Sequence, residues 1–254
     1  MPFYSFAVYR GNDGKYSGSD GLNLLITPDR ETADRFYRFL QTYPDTKKYT
    51  FHNFERHSAQ MWTFWGDSQN DLRDFIVDMW QRDFPIPDER FRSLPDTVCI
   101  AQYDTNQDFN KEFSPIITHI HLADHVNNGE FFIRRKRHPG QLWYLDGSWI
   151  RVSEKQRTKF RIELVDKDTH VLGTPLLIGT DEVRIVALNP SSTNTIKADS
   201  RYDGALGTSG DRSTFKFGAF HQGFNVELGR KDELEYVTYV YSDRLLGEEW
   251  ELVH

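Results

Sequence analysis

The chain has 254 residues, 27% charged and 38% hydrophobic, a balance that excludes a disordered polypeptide and a bundle of membrane-spanning helices. Its net charge of −7, from 38 acids against 31 bases, makes nucleic acid a poor default partner. A single cysteine, Cys99, excludes an intramolecular disulfide framework, and the start Met1–Phe6 is not signal-like, so a reducing cytosol is expected. In chain order, Tyr4–Arg10 alternates like a strand, Gly11–Gly21 is rich in turn formers, and Leu22–Ile26 is a short apolar strand. Thr27-Pro28 has N-cap and first-turn chemistry, and Ala33, Phe36, Tyr37 and Leu40 at helical spacing predict a helix near 28–42. Tyr49–Phe54 and Gln60–Trp65 read as strands. Leu72, Phe75, Ile76, Met79 and Trp80 form one buried helical stripe, so a second helix is predicted near 69–82. Ser68 with Asp71 resembles a capping box at its start, and Pro85 and Pro87 lie beyond its end.

Short strands follow: Thr97–Tyr103, with Cys99 read as core, then Ile116–Leu122, Glu130–Lys136, Trp149–Val152, Thr158–Val165, Val171–Ile178, Val183–Leu188, Phe224–Leu228 and Leu234–Tyr241. Asn189–Asp211 is long and polar and reads as a surface loop, ordered when a partner covers it. No repeat or linker divides the chain. The expected fold is therefore one domain, 1–254, mainly β (α+β): a compact antiparallel β-sandwich with flanking helices near 28–42 and 69–82.

Candidate chemistry is sparse. Gly66–Asp71 looks like the metal-binding segment of haloacid-dehalogenase-type phosphatases, but its partner, Asp166-Lys167-Asp168-Thr169-His170, has His in the last motif position and stands in reversed order. A helix cap explains the first segment better. His119 and His121 share one face of a predicted strand, with His125 nearby, and are the weak metal candidates; a polar contact face is the simpler reading. Arg134, Arg135, Lys136 and Arg137 form a basic run, read as contacts to phosphate or nucleotide or as salt bridges between molecules. No Gly-x-Ser-x-Gly elbow or phosphate-binding glycine loop occurs, so no catalytic residue, required cofactor or bound metal is expected.

Aromatic residues are abundant, at 19 Phe, 12 Tyr and 6 Trp, and 20 of the 31 bases are Arg. Such enrichment marks contact surfaces, although an aromatic core uses the same residues. Two rival functions fit. One is a cytoplasmic carbohydrate-binding module stacking sugars on Trp62, Trp65, Trp143 or Trp149; the other is a metal enzyme built on His119 and His121.

Residues 158–192, from Thr158-Lys159-Phe160-Arg161 to Asn189-Pro190-Ser191-Ser192, resemble a segment of cypovirus polyhedrins, the matrix proteins of viral occlusion bodies. The Tyr4–Arg10 strand with its turn and following helix is similar as well, and Phe75–Ile86 resembles baculovirus polyhedrin. The resemblance implies homotrimers packed into an intracellular crystal around virus particles, in the cytoplasm of an infected host cell. It implies no membrane and no specific nucleic acid as partner, and it allows a trapped nucleotide. Those polyhedrins carry an arm before the first strand; here the strand starts at Tyr4, so cross-linking is expected from 189–211 or the tail 229–254. Deleting the tail is then expected to stop crystals forming and leave a folded protein. In alkali, loss of 24 protons from 12 Tyr, 11 Lys and Cys99 takes the formal charge from −7 to −31, and a lattice held by these groups is expected to dissolve above about pH 10.

Overall fold

The computed structural model describes residues 1–11, 21–43, 48–102, 122–166, 171–189, 192–228, 235–241 and 247–254. Among these residues it is mainly β, the strands pair antiparallel with one exception, and helices lie at both predicted places. No linker marks position 124, yet the chain gathers into two compact units: Met1–Asp124 with Asp168–Leu176, and His125–Lys167 with Leu177–His254. Among the described residues no helix is long and apolar enough to cross a membrane.

In the first unit β1 (Phe3–Tyr9), β2 (Leu22–Thr27), β3 (His52–Ser58), β4 (Met61–Trp65) and β5 (Cys99–Gln102) form one sheet, in the order β3-β4-β1-β2-β5. The exception to antiparallel pairing is β1 with β4. All four residues Ser5–Val8 at the centre of β1 are buried, as a strand covered on both faces requires. Helix α1 (Arg30–Thr42) is capped by Asp29, which accepts from the Thr32 N–H at 2.8 Å. The cap thus falls two residues after Thr27, whose hydroxyl donates to the Asp29 carbonyl instead. Helix α2 (Asp71–Gln81) buries Leu72, Phe75, Ile76 and Met79 as the periodicity predicts. Trp80 departs from the stripe: it is 41% exposed, and its indole N–H donates to Val98 at 2.8 Å. Phe75 sits at the centre of a ring cluster, 5.4 Å from Phe51 and 6.0 Å from Phe39. Cys99, expected in the core, is exposed: β5 is an edge strand, and alternation turns Val98 inward and the thiol out.

The same unit buries an ionic network. Arg56 bridges Asp34 at 2.6 Å and Asp124 at 2.7 Å, Asp34 also meets Arg30 at 3.1 Å, and the Arg56 guanidinium lies 5.0 Å from the Tyr37 ring centre. Burial pushes the Tyr37 phenol up to about 12, against the opposing pull of Arg56.

Among the described residues the second unit holds twelve strands: β6 (Gly129–Arg135), β7 (Leu142–Asp146), β8 (Trp149–Ser153), β9 (Lys159–Leu164), β10 (Glu182–Asn189), β11 (Ser192–Thr195), β12 (Lys197–Asp199), β13 (Ala205–Gly207), β14 (Phe215–Lys216), β15 (Phe224–Leu228), β16 (Glu235–Tyr239) and β17 (Trp250–Val253). β6 is the hub, pairing with β9, β7 and β17, and β9 leads on to β10 and β14. Hairpins β7–β8, β12–β13 and β15–β16 are joined by one further set of contacts. β8, β13 and β16 pair with each other in a closed triangle, through Gly207 with Trp149, Ala205 with Thr238, and Tyr236 with Arg151. Three hairpins thus meet through these single pairs. Gly207 is required there, because a Cβ would come within 2.4 Å of the Ser148 carbonyl. Trp143 anchors the core, 5.2 Å from Phe224, 5.4 Å from Trp250 and 5.9 Å from Phe160.

Three expectations need correction. Residues 189–211 are not a partner-ordered loop: their described part supplies β11, β12 and β13, with Ile196, Ala198 and Leu206 fully buried. Val171–Ile178 carries no strand, although Leu176, Leu177 and Ile178 are buried. Nor is 229–254 a detachable tail, since it contains β16 and also β17, which pairs along β6 with Trp250 and Leu252 turned inward. Deleting it removes two strands of the unit, so the deletion is not expected to leave a folded protein.

Candidate functional site

The basic run meets its partners inside the chain. Arg134 pairs with Glu251 at 3.0 Å, Lys136 with Glu249 at 2.9 Å, and Arg135 with Glu248 and with the Gln141 side chain at 2.7 Å. These contacts follow from the β6–β17 register, which sets Arg134 opposite Glu251. Lys136 holds the Glu249 carboxyl below the usual carboxylate range. Arg137 is exposed. His119 and His121 lie outside the described residues. His125 is described, with its ring 5.3 Å from Phe217. Among the described residues no three His, Cys, Asp or Glu side chains are grouped as a metal site needs.

Gly66–Asp71 is a turn leading into α2, as read, but it keeps only half of a capping box: the N-cap is Asn70, which makes no side-chain cap bond. Asp71 accepts from the Ser68 N–H at 2.8 Å, and the Ser68 hydroxyl accepts from the Asn70 N–H at 3.2 Å. Burial holds the Asp71 carboxyl above its ordinary range. Of its phosphatase counterpart, Asp166 is exposed and 167–170 lie outside the described residues.

Two of the four tryptophans proposed as stacking platforms are enclosed: Trp62 is 2% exposed and Trp143 not at all. Trp65 is half-buried beside His52, with ring centres 6.0 Å apart. Trp149 is half-buried too, and it stands in different company. The β7–β8 hairpin closes with Trp149 opposite Asp146 and Arg151 opposite Tyr144. Alternation sends Trp143 and Ile150 into the core, so Tyr144, Asp146, Trp149 and Arg151 share the other face. The Trp149 ring lies 5.4 Å from Tyr202 and 6.1 Å from Tyr236, both nearly perpendicular to it. The Arg151 guanidinium sits 4.8 Å from the Tyr236 ring centre, donates to its hydroxyl at 3.2 Å, and pairs with Asp146 at 3.1 Å.

Tyr202 reaches this group from a short 3-10 turn, Ser200–Tyr202. Asp199 anchors the turn by accepting from the Arg201 N–H, and Asp211 does so by accepting from the Ser200 N–H and hydroxyl. The Arg201 side chain holds the Asp199 carboxyl below its usual range. On the far side of β7 runs the segment 155–158, fastened by the Thr158 N–H to Trp143 at 3.0 Å and by the Leu145 N–H to the Thr158 hydroxyl at 2.9 Å. Here Tyr144, Asp146, Lys155, Gln156 and Arg157 line a shallow polar depression of about 480 Å³. The Arg157 guanidinium rests 4.6 Å from the Phe132 ring centre.

The sequence pointed to Trp149 but not to Tyr202, Tyr236 or Arg151, which come together through the triangular pairing of three separate hairpins. No local pattern carries that signal.

No family model and no curated protein matches the chain. Among solved structures, a crystal structure of an HCR/D mutant aligns over 100% of this chain and 92% of that one, at 10% identity and a TM-score of 0.37. That likeness is too slight to bear on function.

Proposed function

We propose that this chain is a carbohydrate-binding protein, with the outer face of the β7–β8 hairpin as its sugar site. One observation carries the reading: Trp149, Tyr202 and Tyr236 stand half-exposed or exposed together around the Arg151–Asp146 pair. A sugar ring has an apolar C–H face and a rim of hydroxyls. Amphipathic rings match the first, and a few fixed polar groups match the second. The test is a glycan array with the purified chain, followed by titration of the best neutral oligosaccharide. Tyr202→Ala is expected to weaken binding about tenfold and leave the circular dichroism spectrum unchanged, since Tyr202 is 57% exposed. A folded protein that ignores every glycan sinks the reading.

A second reading is self-assembly into occlusion bodies, as the polyhedrin resemblance implies. It is favoured by the large apolar side chains left on both units: Tyr4, Met61 and Trp80 on the first, Leu228 and Tyr241 on the second. Micrometre-sized crystals in expressing cells, dissolving reversibly above about pH 10, would support it. A protein that stays monomeric and dispersed at high concentration excludes it.

A further inference from the structure

Resting on the carbohydrate reading, we infer that the saccharide is acidic, its carboxylate or sulfate held by Lys155 and Arg157. Several of the unit's cations are met by acids of its own. Arg134, Arg135 and Lys136 face Glu251, Glu248 and Glu249; Arg161 meets Glu163 at 2.8 Å, and Lys159 approaches Glu130 at 3.9 Å. Lys155 and Arg157 are exposed, have no ion pair among the described residues, and sit side by side in a depression that adjoins the aromatic face. In a chain of net charge −7, two neighbouring cations without an ion pair in one concavity favour an anion.

The two residues are also placed to act together with the rings. Phe132 supports the flat side of the Arg157 guanidinium, which leaves its N–H edge for a carboxylate or sulfate and lowers the ordering cost of binding. Tyr144 and Asp146 belong both to the depression and to the hairpin face. The Asp146 charge is already met by Arg151, so it does not repel an incoming anion as a lone carboxylate would. From segment 155–158 across β7 and β8 to β16 there are three inter-strand steps, roughly 15 Å, a span for a short oligosaccharide with its acidic group at one end and a stacked ring at the other.

The test compares a glucuronate-terminated trisaccharide with its glucose-terminated counterpart, by calorimetry on the full chain. At about 50 mM salt the acidic sugar is expected to bind at least about tenfold tighter, and the advantage should largely vanish at about 500 mM. In the double variant Lys155→Gln/Arg157→Gln, with an unchanged thermal melt, the two sugars should bind alike and the neutral one as in the parent. Equal binding by the parent chain overturns the acidic preference and leaves the carbohydrate reading standing. A preference that survives the double variant overturns the assignment to Lys155 and Arg157. Binding of neither sugar, or of adenosine monophosphate alone, overturns the carbohydrate reading and this inference with it.

Discussion

The two units use the same contact, arginine against an aromatic ring, in opposite ways. In the first, Arg56 and Tyr37 are packed together inside, with Asp34 and Asp124 closing the charge. In the second, Arg157 makes a like contact with Phe132 at the surface, beside a depression open to solvent. An arginine over an aromatic ring is therefore not a functional signal by itself. Depth decides: inside, the contact offsets the cost of burying a guanidinium; outside, the same contact holds it ready for something else.

The contrast can be broken experimentally. Arg56→Leu leaves Asp34 and Asp124 short of their shared cation and is expected to destabilise the chain by about 3–5 kcal/mol, measured by urea denaturation. A cost under about 1 kcal/mol would show the buried network to be dispensable. Next comes alkali. The Tyr37 phenol titrates near 12 when folded against 10.0 when free, so the native state holds its proton longer. That share of stability is complete below pH 10 and is lost as pH rises to about 12, about 3 kcal/mol in all. Tyr37→Phe should flatten the decline in denaturation midpoints across that range. Because the fold itself weakens there, alkaline dissolution supports a lattice only where it is reversible and the chain stays folded. Asp71→Ala removes the acceptor for the Ser68 N–H and should cost about 1 kcal/mol. Smallest is Arg157→Gln, expected to change stability by less than about 0.5 kcal/mol, since the side chain is exposed. A larger loss would make Arg157 structural and erase the contrast between the units.

The helices and the longer strands were legible because each is specified locally: the Leu72–Met79 stripe and the Ser68–Asp71 turn need no distant residue. The failures share a different cause. β12 and β13 are three residues long, too short for alternation to register, and the Gly and Asp residues around them mimic a loop. Charges at Glu248, Glu249 and Glu251 hide β17, yet those charges are what β6 requires opposite Arg134, Arg135 and Lys136. The basic run looked uncompensated because its partners lie more than a hundred positions away. The site was half legible. Trp149 could be named as a platform, but which tryptophans are enclosed is settled by packing.

That long separation also shapes how the second unit can fold. Arg134 and Glu251 are 117 positions apart, so the β6–β17 ladder closes a very large loop. The hairpins β7–β8 and β15–β16 need only short ones and can form early. Until residues 250–253 arrive, β6 has an unpaired edge carrying three neighbouring cations. Their mutual repulsion is a built-in guard: it discourages one waiting chain from pairing with the same strand of another. β17, docking there with Glu248 and Glu249 just before it, closes the edge and neutralises the guard in one step.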